Sequence, residues 1–199
     1  MLKAASAKHS VHYVSTLAGS YKGQPQRLTQ VADVAAGRGI QRITISRGGK
    51  TGTVTIRVVN STAYLRGDAF ALHTYMGLRT SQAVGLAGRW ISIPHRSPAY
   101  GPIAADVTFG SFIRYLLPQH QLSLVHGTVG GTKVTGVHGT ARLEGISETL
   151  TVYAPTGTKP LPIAVTYVVH GPNGGTGTTS ISRWNEPLRV TAPTHAIPA

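Results

Sequence analysis

The sequence predicts an α+β fold: a curved antiparallel sheet of about ten strands with helices across its open, concave face. Two features of the sequence lead to this prediction. Segments such as residues 52–66 alternate apolar with polar residues and carry β-branched side chains at Val54, Ile56 and Val58, as strands do. Residues 68–117 then interrupt the alternation with stretches that are apolar on more than one side, and such helices need a large surface to lie on.

Five strands are predicted before the interruption. Each is bounded by a short turn that is rich in Gly or made of Asn60 and Ser61, so consecutive strands are expected to pair as a meander. Ile43 and Ile45 share one face of the third strand. The five segments are residues 11–17, 26–35, 40–46, 53–59 and 62–66.

Two helical segments are predicted inside the interruption. Asp68 is a suitable N-cap for the first, which covers residues 68–76. The second is marked by apolar residues on more than one stripe: Ile103, Val107, Phe112, Ile113, Leu116 and Leu117. Helices this apolar, placed across a curved sheet, can leave an apolar cavity behind them.

Five more strands are predicted after the interruption. Gly130 and Gly131 suit the positive φ angles of a tight hairpin between the first two of them. We interpret residues 1–9 as the remnant of an N-terminal helix, residues 191–199 as an extended tail, and residues 1–199 as one domain. The five segments are residues 122–129, 132–140, 148–154, 162–170 and 176–183.

The charge balance favours an anionic neighbour. The 199 residues include 19 Lys and Arg against six Asp and Glu, for a formal net charge of +13. Phospholipid headgroups, acidic polymers and nucleic acid would all be attracted to such a protein. Because the basic residues are scattered rather than clustered, the composition favours a solvated basic surface over a nucleic-acid footprint.

The chemical motifs in the sequence point away from an enzyme. No Cys is present, so a disulfide framework, a thiolate metal site and a Cys nucleophile are all excluded. Residues 48–51 resemble the end of a phosphate-binding loop, but the first Gly is missing and a strand follows, so a hairpin is favoured. His9 and His12 have no carboxylate close to them in the sequence that could complete a metal site. We therefore predict a non-enzymatic protein with no cofactor and no bound metal.

No segment of the sequence predicts a membrane span or a signal peptide. There is no run of ~18 consecutive apolar residues. The first ten residues are too short and too polar for a signal peptide.

Neighbouring aromatic and basic residues, such as Arg89 with Trp90 and Arg183 with Trp184, resemble a nucleic-acid stacking surface. Strand alternation that places the ring inside and the Arg outside is the simpler interpretation.

Several segments together resemble actinobacterial cell-envelope lipoproteins of the LppX/LprG type and, more distantly, the LolA/LolB lipoprotein carriers. They occur in the family's order along nearly the whole chain. The segments are residues 10–13, 60–70, 87–94, 150–153, 159–162 and 182–193. The family's signal sequence and N-terminal lipidated Cys have no counterpart in this sequence.

The resemblance implies a half-barrel of antiparallel strands that encloses an apolar cavity for lipid acyl chains. It further implies a lipid or glycolipid ligand, an extracytoplasmic envelope location, an anionic membrane surface as a partner, and a membrane transporter that could receive the cargo. We expect a monomer. The residues proposed to line the cavity come from one face of the strands and from the helical block: Ile43, Ile45, Val54, Ile56, Val58, Phe70, Leu72, Tyr75, Met76, Trp90, Val107, Phe112, Ile113 and Leu116.

An alternative function stays open beside the lipid carrier. The same fold could have a filled core, because burial stabilises at ~25 cal/mol per Å² of apolar surface and the helices could themselves fill the concave face. Such a protein would act as an envelope regulatory or interaction protein and bind an acidic partner through its basic surface. It would carry no lipid, and its binding would be strongly salt-dependent.

Overall fold

The structure, a computed structural model, describes residues 1–105, 107–143, 145–157 and 160–199. Lys159, which belongs to one of the segments that resemble the lipoproteins, lies outside the described residues. The described part of the chain forms one sheet of twelve strands with five helices packed on it.

The first part of the chain contains six of the strands and the helices. The strands are β1 (Ser10–Tyr21), β2 (Gln24–Ala35), β3 (Arg38–Arg47), β4 (Lys50–Val59), β5 (Thr62–Gly67) and β6 (Ile91–Pro94). The helices are α1 (Leu2–Ser6), α2 (Ala69–Thr74), α3 (Thr80–Leu86), α4 (Tyr100–Ala105) and α5 (Phe109–Tyr115).

The second part contributes six further strands. They are β7 (His120–Val129), β8 (Thr132–Leu143), β9 (Ile146–Pro155), β10 (Ala164–Val169), β11 (Gly175–Ser182) and β12 (Ile197–Pro198). The strand order across the sheet is β12-β6-β5-β4-β3-β2-β1-β11-β10-β9-β8-β7. Two antiparallel meanders are therefore joined side by side, through the pairing of β1 with β11.

The sheet has two more strands than the sequence predicted, and both are short. Strand β6 lies within the interruption 68–117, between the two segments predicted to be helical, and pairs with β5. Strand β12 lies in the tail predicted to be extended coil, and pairs in parallel with β6. Segments of four and two residues are too short to show an alternating pattern, which is why the sequence analysis missed them.

Several predicted turns and caps are confirmed. Gly48 and Gly49 have positive φ angles and connect β3 to β4, so residues 48–51 form a hairpin rather than a phosphate-binding loop. Gly130 and Gly131 likewise connect β7 to β8. Asp68 caps α2, since its Oδ1 accepts a hydrogen bond from the Ala71 N–H at 2.8 Å.

The core is divided into two clusters on the helix-covered side of the sheet. The first lies between β3–β6 and helices α2, α3 and α4, and its centre includes Ile43, Val54 and Leu72. The second lies between α5 and strands β1, β2, β9, β10 and β11, with Phe112 and Leu150 near its centre. Because alternate residues of a strand point to the same face, the inward residues of both meanders belong to one continuous concave surface.

Candidate functional site

An open cavity of about 260 Å³ lies in the second half of the concave surface. Helix α5 covers one side of it, and strands β1, β2, β9, β10 and β11 form its floor. Its apolar lining consists of Leu17, Leu28, Phe112, Leu116, Leu150, Val165 and Val169. Its polar lining consists of Ser15, Gln30, Glu148, Thr179 and the tyrosines Tyr13, Tyr115 and Tyr167.

Strand register explains why these residues meet. Tyr13, Ser15 and Leu17 alternate along β1 and therefore point to one face. Thr179 on β11 lies opposite Ser15, and Gly177 lies opposite Leu17. The same rows continue across the sheet into β10, β9 and β2, so the floor is built of parallel rows of side chains.

One end of the cavity is closed by aromatic rings. The Phe112 ring of α5 stacks on the Tyr13 ring of β1, with ring centroids 4.8 Å apart and an interplanar angle of 14°. The Trp184 ring also packs against Phe112, with ring centroids 6.4 Å apart. Leu116 follows at the end of α5 and is buried. These contacts hold the helix over the Tyr13 row of the floor.

A chain of hydrogen bonds crosses the floor between three strands. The Thr179 hydroxyl donates to Ser15 Oγ at 2.9 Å, and the Tyr167 hydroxyl donates to the Thr16 carbonyl oxygen at 3.2 Å. Ser15 Oγ lies 3.0 Å from the Tyr167 hydroxyl oxygen. Because the Tyr167 proton is directed to Thr16, Ser15 is the donor in that pair.

The Tyr167 ring fits in the floor because the residue opposite it on β11, Gly177, has no side chain. A Cβ built on Gly177 would lie 2.2 Å from Cζ of Tyr167, so only Gly fits opposite it. Burial raises the pKa of the Tyr167 phenol, the Ser15 hydrogen bond lowers that pKa, and the Glu148 charge raises it. Tyr167 is therefore a neutral hydroxyl, fixed within the floor.

Glu148 brings a carboxylate into the apolar lining. It is half-buried on β9, and its cross-strand neighbours are Ala141 and Val169. Burial raises the pKa of its carboxyl group. Within the described ranges, no salt bridge to Glu148 is formed, and none of the cavity-lining residues is Lys, Arg or His.

A second hollow, at one end of the central strands β1 and β2, is a polar clasp. Asp33 accepts hydrogen bonds from His12 and from Arg183, each at 2.8 Å, and Arg183 also lies 3.8 Å from Glu186. Arg183 pairs with both Asp33 and Glu186, so the clasp ties the segment after β11 to β1 and β2. His12 is engaged here while His9 is exposed, and no cluster of three metal-ligating side chains occurs in the described part of the chain.

Two of the residues that the sequence analysis assigned to the cavity line the open space, namely Phe112 and Leu116. Ile113 packs beside them in the same cluster. The others lie elsewhere, mostly in the first cluster, where α2, α3 and α4 cover the sheet closely. Buried there are Ile43, Ile45, Val54, Ile56, Val58, Leu72 and Val107.

The remaining assigned residues lie around that first cluster. Phe70, Tyr75 and Met76 are partly buried against it. Trp90 is half-buried, and the Arg57 guanidinium lies over its ring, 4.9 Å from the centroid. That these residues contact lipid stays a prediction, because the open space of the described structure lies on the other half of the concave surface.

Sequence reasoning missed the floor of the cavity. A signal was available in the second meander, where Val165, Tyr167 and Val169 alternate on β10 while the strand that follows carries Gly175 and Gly177. Small residues opposite large ones leave room above a sheet. The pairing of β11 with β1, which completes the floor, joins distant parts of the chain and has no local signature.

Comparison with known proteins bears on the fold. No protein-family model matches the sequence, and no functionally curated protein matches it. Among solved structures, the Mycobacterium tuberculosis lipoprotein LppX aligns with a TM-score of 0.53 at 15% sequence identity, over 96% of this chain and 93% of LppX. The chain has the LppX fold. The predicted resemblance to LppX/LprG-type proteins and the predicted helix-covered half-barrel are thereby confirmed at the level of architecture.

A second solved structure is less similar. A DUF1329 family protein from Desulfovibrio piger aligns with a TM-score of 0.32 at 7% identity, over 96% of this chain and 90% of that protein. A score of this size supports no inference about function. In this LppX-like half-barrel, no helix of the described residues is long and apolar enough to cross a membrane.

Proposed function

We propose that this LppX-like protein binds lipids or lipidated molecules in its cavity and carries them, without catalysis, at the bacterial cell envelope. The observation that carries the proposal is the open, mainly apolar cavity between α5 and the second half of the sheet. Apolar pockets with a few placed polar groups are the usual sites for small amphiphilic ligands.

The size of the cavity limits the cargo. Ligand pockets typically measure ~300–1,000 Å³, and this cavity is about 260 Å³. It therefore suits one alkyl chain in the present conformation. A lipid with several chains would require α5 to move away from the Tyr13 row that it covers.

The likeness to LppX supports the proposal through the fold alone. LppX is a lipoprotein, and its fold is the one that this chain shares. The envelope location and the transfer of cargo to a membrane transporter remain proposals for this protein. The net charge of +13 supports an encounter with anionic lipid headgroups.

Native mass spectrometry of the gently purified protein is the direct test. We expect a stoichiometric adduct of lipid mass, which solvent extraction would release for identification. A clean mass without adduct, combined with no uptake of a fluorescent acyl probe, would contradict the proposal. It would favour the interaction protein with an acidic partner, which the tightly filled first half of the concave surface also supports.

A charge placed in the cavity should abolish uptake. Leu17→Arg would put a cation on the floor beside Leu28, where an alkyl chain cannot solvate it, and acyl-probe affinity should fall at least about tenfold. Val31→Arg adds the same charge on β2, at a residue that is 39% exposed and pairs with the outward-facing Val14, and should bind normally. Equal probe affinity of the two variants, with matching circular dichroism spectra, would disprove the cavity as the site.

A further inference from the structure

We propose that Glu148 selects the cargo by its polar group: the cavity takes an amphiphile that donates hydrogen bonds, such as an alcohol or an ammonium group, and disfavours a carboxylate. This rests on the proposed function and names the ligand class for the same cavity. Three features of the described residues support it: the charge of the lining, the state of its hydroxyl groups, and the position of Glu148.

The charge of the cavity is opposite to that of the whole protein. Lys and Arg outnumber Asp and Glu by 19 to six, yet the described residues that line the cavity include one carboxylate and no basic side chain. The carboxylate of a fatty acid that entered would be repelled by the Glu148 carboxylate, and the repulsion is stronger there than in water because the site is partly desolvated. A neutral hydroxyl or an ammonium group would meet an acceptor.

Three hydroxyl groups of the floor, those of Thr179, Ser15 and Tyr167, already donate their protons within the protein. Thr179 donates to Ser15, Ser15 donates to Tyr167, and Tyr167 donates to the Thr16 carbonyl oxygen. Tyr13 accepts a hydrogen bond from Gln41 and, like Tyr115, has interactions within the protein. Gln30 can both donate and accept and so does not discriminate.

Glu148 is the strong acceptor that remains. No hydrogen bond or ion pair to its carboxylate is formed within the ranges that the structure describes, and its cross-strand neighbours Ala141 and Val169 offer only methyl groups. A half-buried carboxylate with no partner is unfavourable, and a donor from the ligand would relieve that cost.

The position of Glu148 also orients the ligand. The inward residues form successive rows across β1, β11, β10 and β9, and the rows that begin at Ser15 and Leu17 reach Val152 and Leu150. Glu148 lies one row further out, beside Val169, while Phe112 covers the Tyr13 row at the opposite end. An alkyl chain directed towards Phe112 and Leu116 would leave its polar head at Glu148.

Three ligands with the same twelve-carbon acyl chain distinguish the effect of a hydrogen-bond donor from the effect of a negative charge: monolauroylglycerol, methyl laurate and laurate. Each would compete with a fluorescent acyl probe at pH 8. We expect monolauroylglycerol to bind about tenfold more tightly than methyl laurate, as for a hydrogen bond to a charged group, and laurate to bind most weakly. Glu148→Gln keeps the shape of the side chain and removes its charge. This variant should bind laurate about tenfold more tightly than the wild type does, and its affinity for monolauroylglycerol should exceed that for methyl laurate by a smaller factor.

Glu186→Gln is the matched control, because it removes an exposed carboxylate in the clasp and should leave all three affinities unchanged. Equal affinities for the three ligands in the wild type, or a Glu148→Gln protein with the wild-type ranking, would overturn the selection by Glu148 and leave the lipid-binding proposal standing. Failure of all three to displace the probe, or failure of the probe to bind, would overturn both.

Discussion

At the scale of single residues, Glu148 makes the stability of the protein depend on pH. Burial raises the pKa of its carboxyl above the ordinary value of 4.5 in the folded protein. The stability that comes from a protonated Glu148 is therefore fully present below about pH 4.5 and is lost as the pH rises through the raised pKa. At neutral pH the folded state contains an ionised Glu148 carboxylate that is partly desolvated, which lowers the stability of the protein.

Glu148→Gln should remove this pH dependence. Because Glu148 is partly solvated, the effect is small, and we expect the variant to melt about 1–2 °C above the wild type at pH 7. The difference should shrink towards zero as the pH falls to 4. Thermal melts followed by circular dichroism across this range would test the prediction. A difference that stays constant with pH, or has the opposite sign, would contradict it.

Residue patterns explain which parts of the core could be predicted. The alternation of β-branched residues placed Ile43, Ile45, Val54, Ile56 and Val58 on one face, and all five are buried under the helices. Alternation cannot tell a filled face from one that leaves open space, because that difference depends on how closely helices pack above it. The location of the cavity therefore did not follow from the alternation of apolar residues.

At the scale of elements, the Asp68 side chain links α2 to the sheet by hydrogen bonds, in addition to the core packing of Leu72. Asp68 Oδ1 caps the helix at the Ala71 N–H, and Oδ2 accepts from the Thr53 N–H of β4 at 2.5 Å. Capping is worth ~0.5–2 kcal/mol, and the second bond adds a direct connection between helix and strand. The sequence predicted the cap from its position before an apolar run, but not the bond to β4.

Asp68→Ala should lower the free energy of unfolding by about 1–2 kcal/mol, with the urea m-value unchanged, because it removes the cap and this connection. Acyl-probe affinity should stay within about twofold of the wild type, because α2 covers the first cluster and not the cavity. Asp68→Asn, which keeps a capping oxygen, should lose much less stability. Loss of probe binding by a folded Asp68→Ala protein would place the cargo in the first half instead.

At the scale of the whole molecule, the net charge and the cavity have different roles. Under the proposed function, the charge of +13 would promote encounter with an anionic surface at long range, while the lining would determine which ligand is bound. Long-range attraction is screened by salt, whereas apolar burial is not. Association with membranes and uptake of a ligand should therefore respond differently to ionic strength.

Vesicle flotation can separate the two roles. We expect the protein to float with vesicles that contain anionic phospholipid at about 0.05 M NaCl and to be released at about 0.5 M NaCl, where the screening length is only a few ångströms. Vesicles of neutral phosphatidylcholine serve as the control. Acyl-probe affinity should be nearly unchanged over the same range of salt. Equal flotation with neutral vesicles would show that charge is not what brings the protein to the membrane.

The pairing of β1 with β11 has a consequence for how the protein reaches its native state. Each meander can form from neighbouring segments, but Ser15 and Thr179, which face each other across the central pair, are 164 residues apart in the chain. Closing so long a loop is slow compared with forming hairpins, so we expect this pair to form late. The floor of the cavity spans that pair. Under the proposed function, a partly synthesised chain could therefore not bind its ligand until β11 has been made, because β11 completes the floor of the cavity.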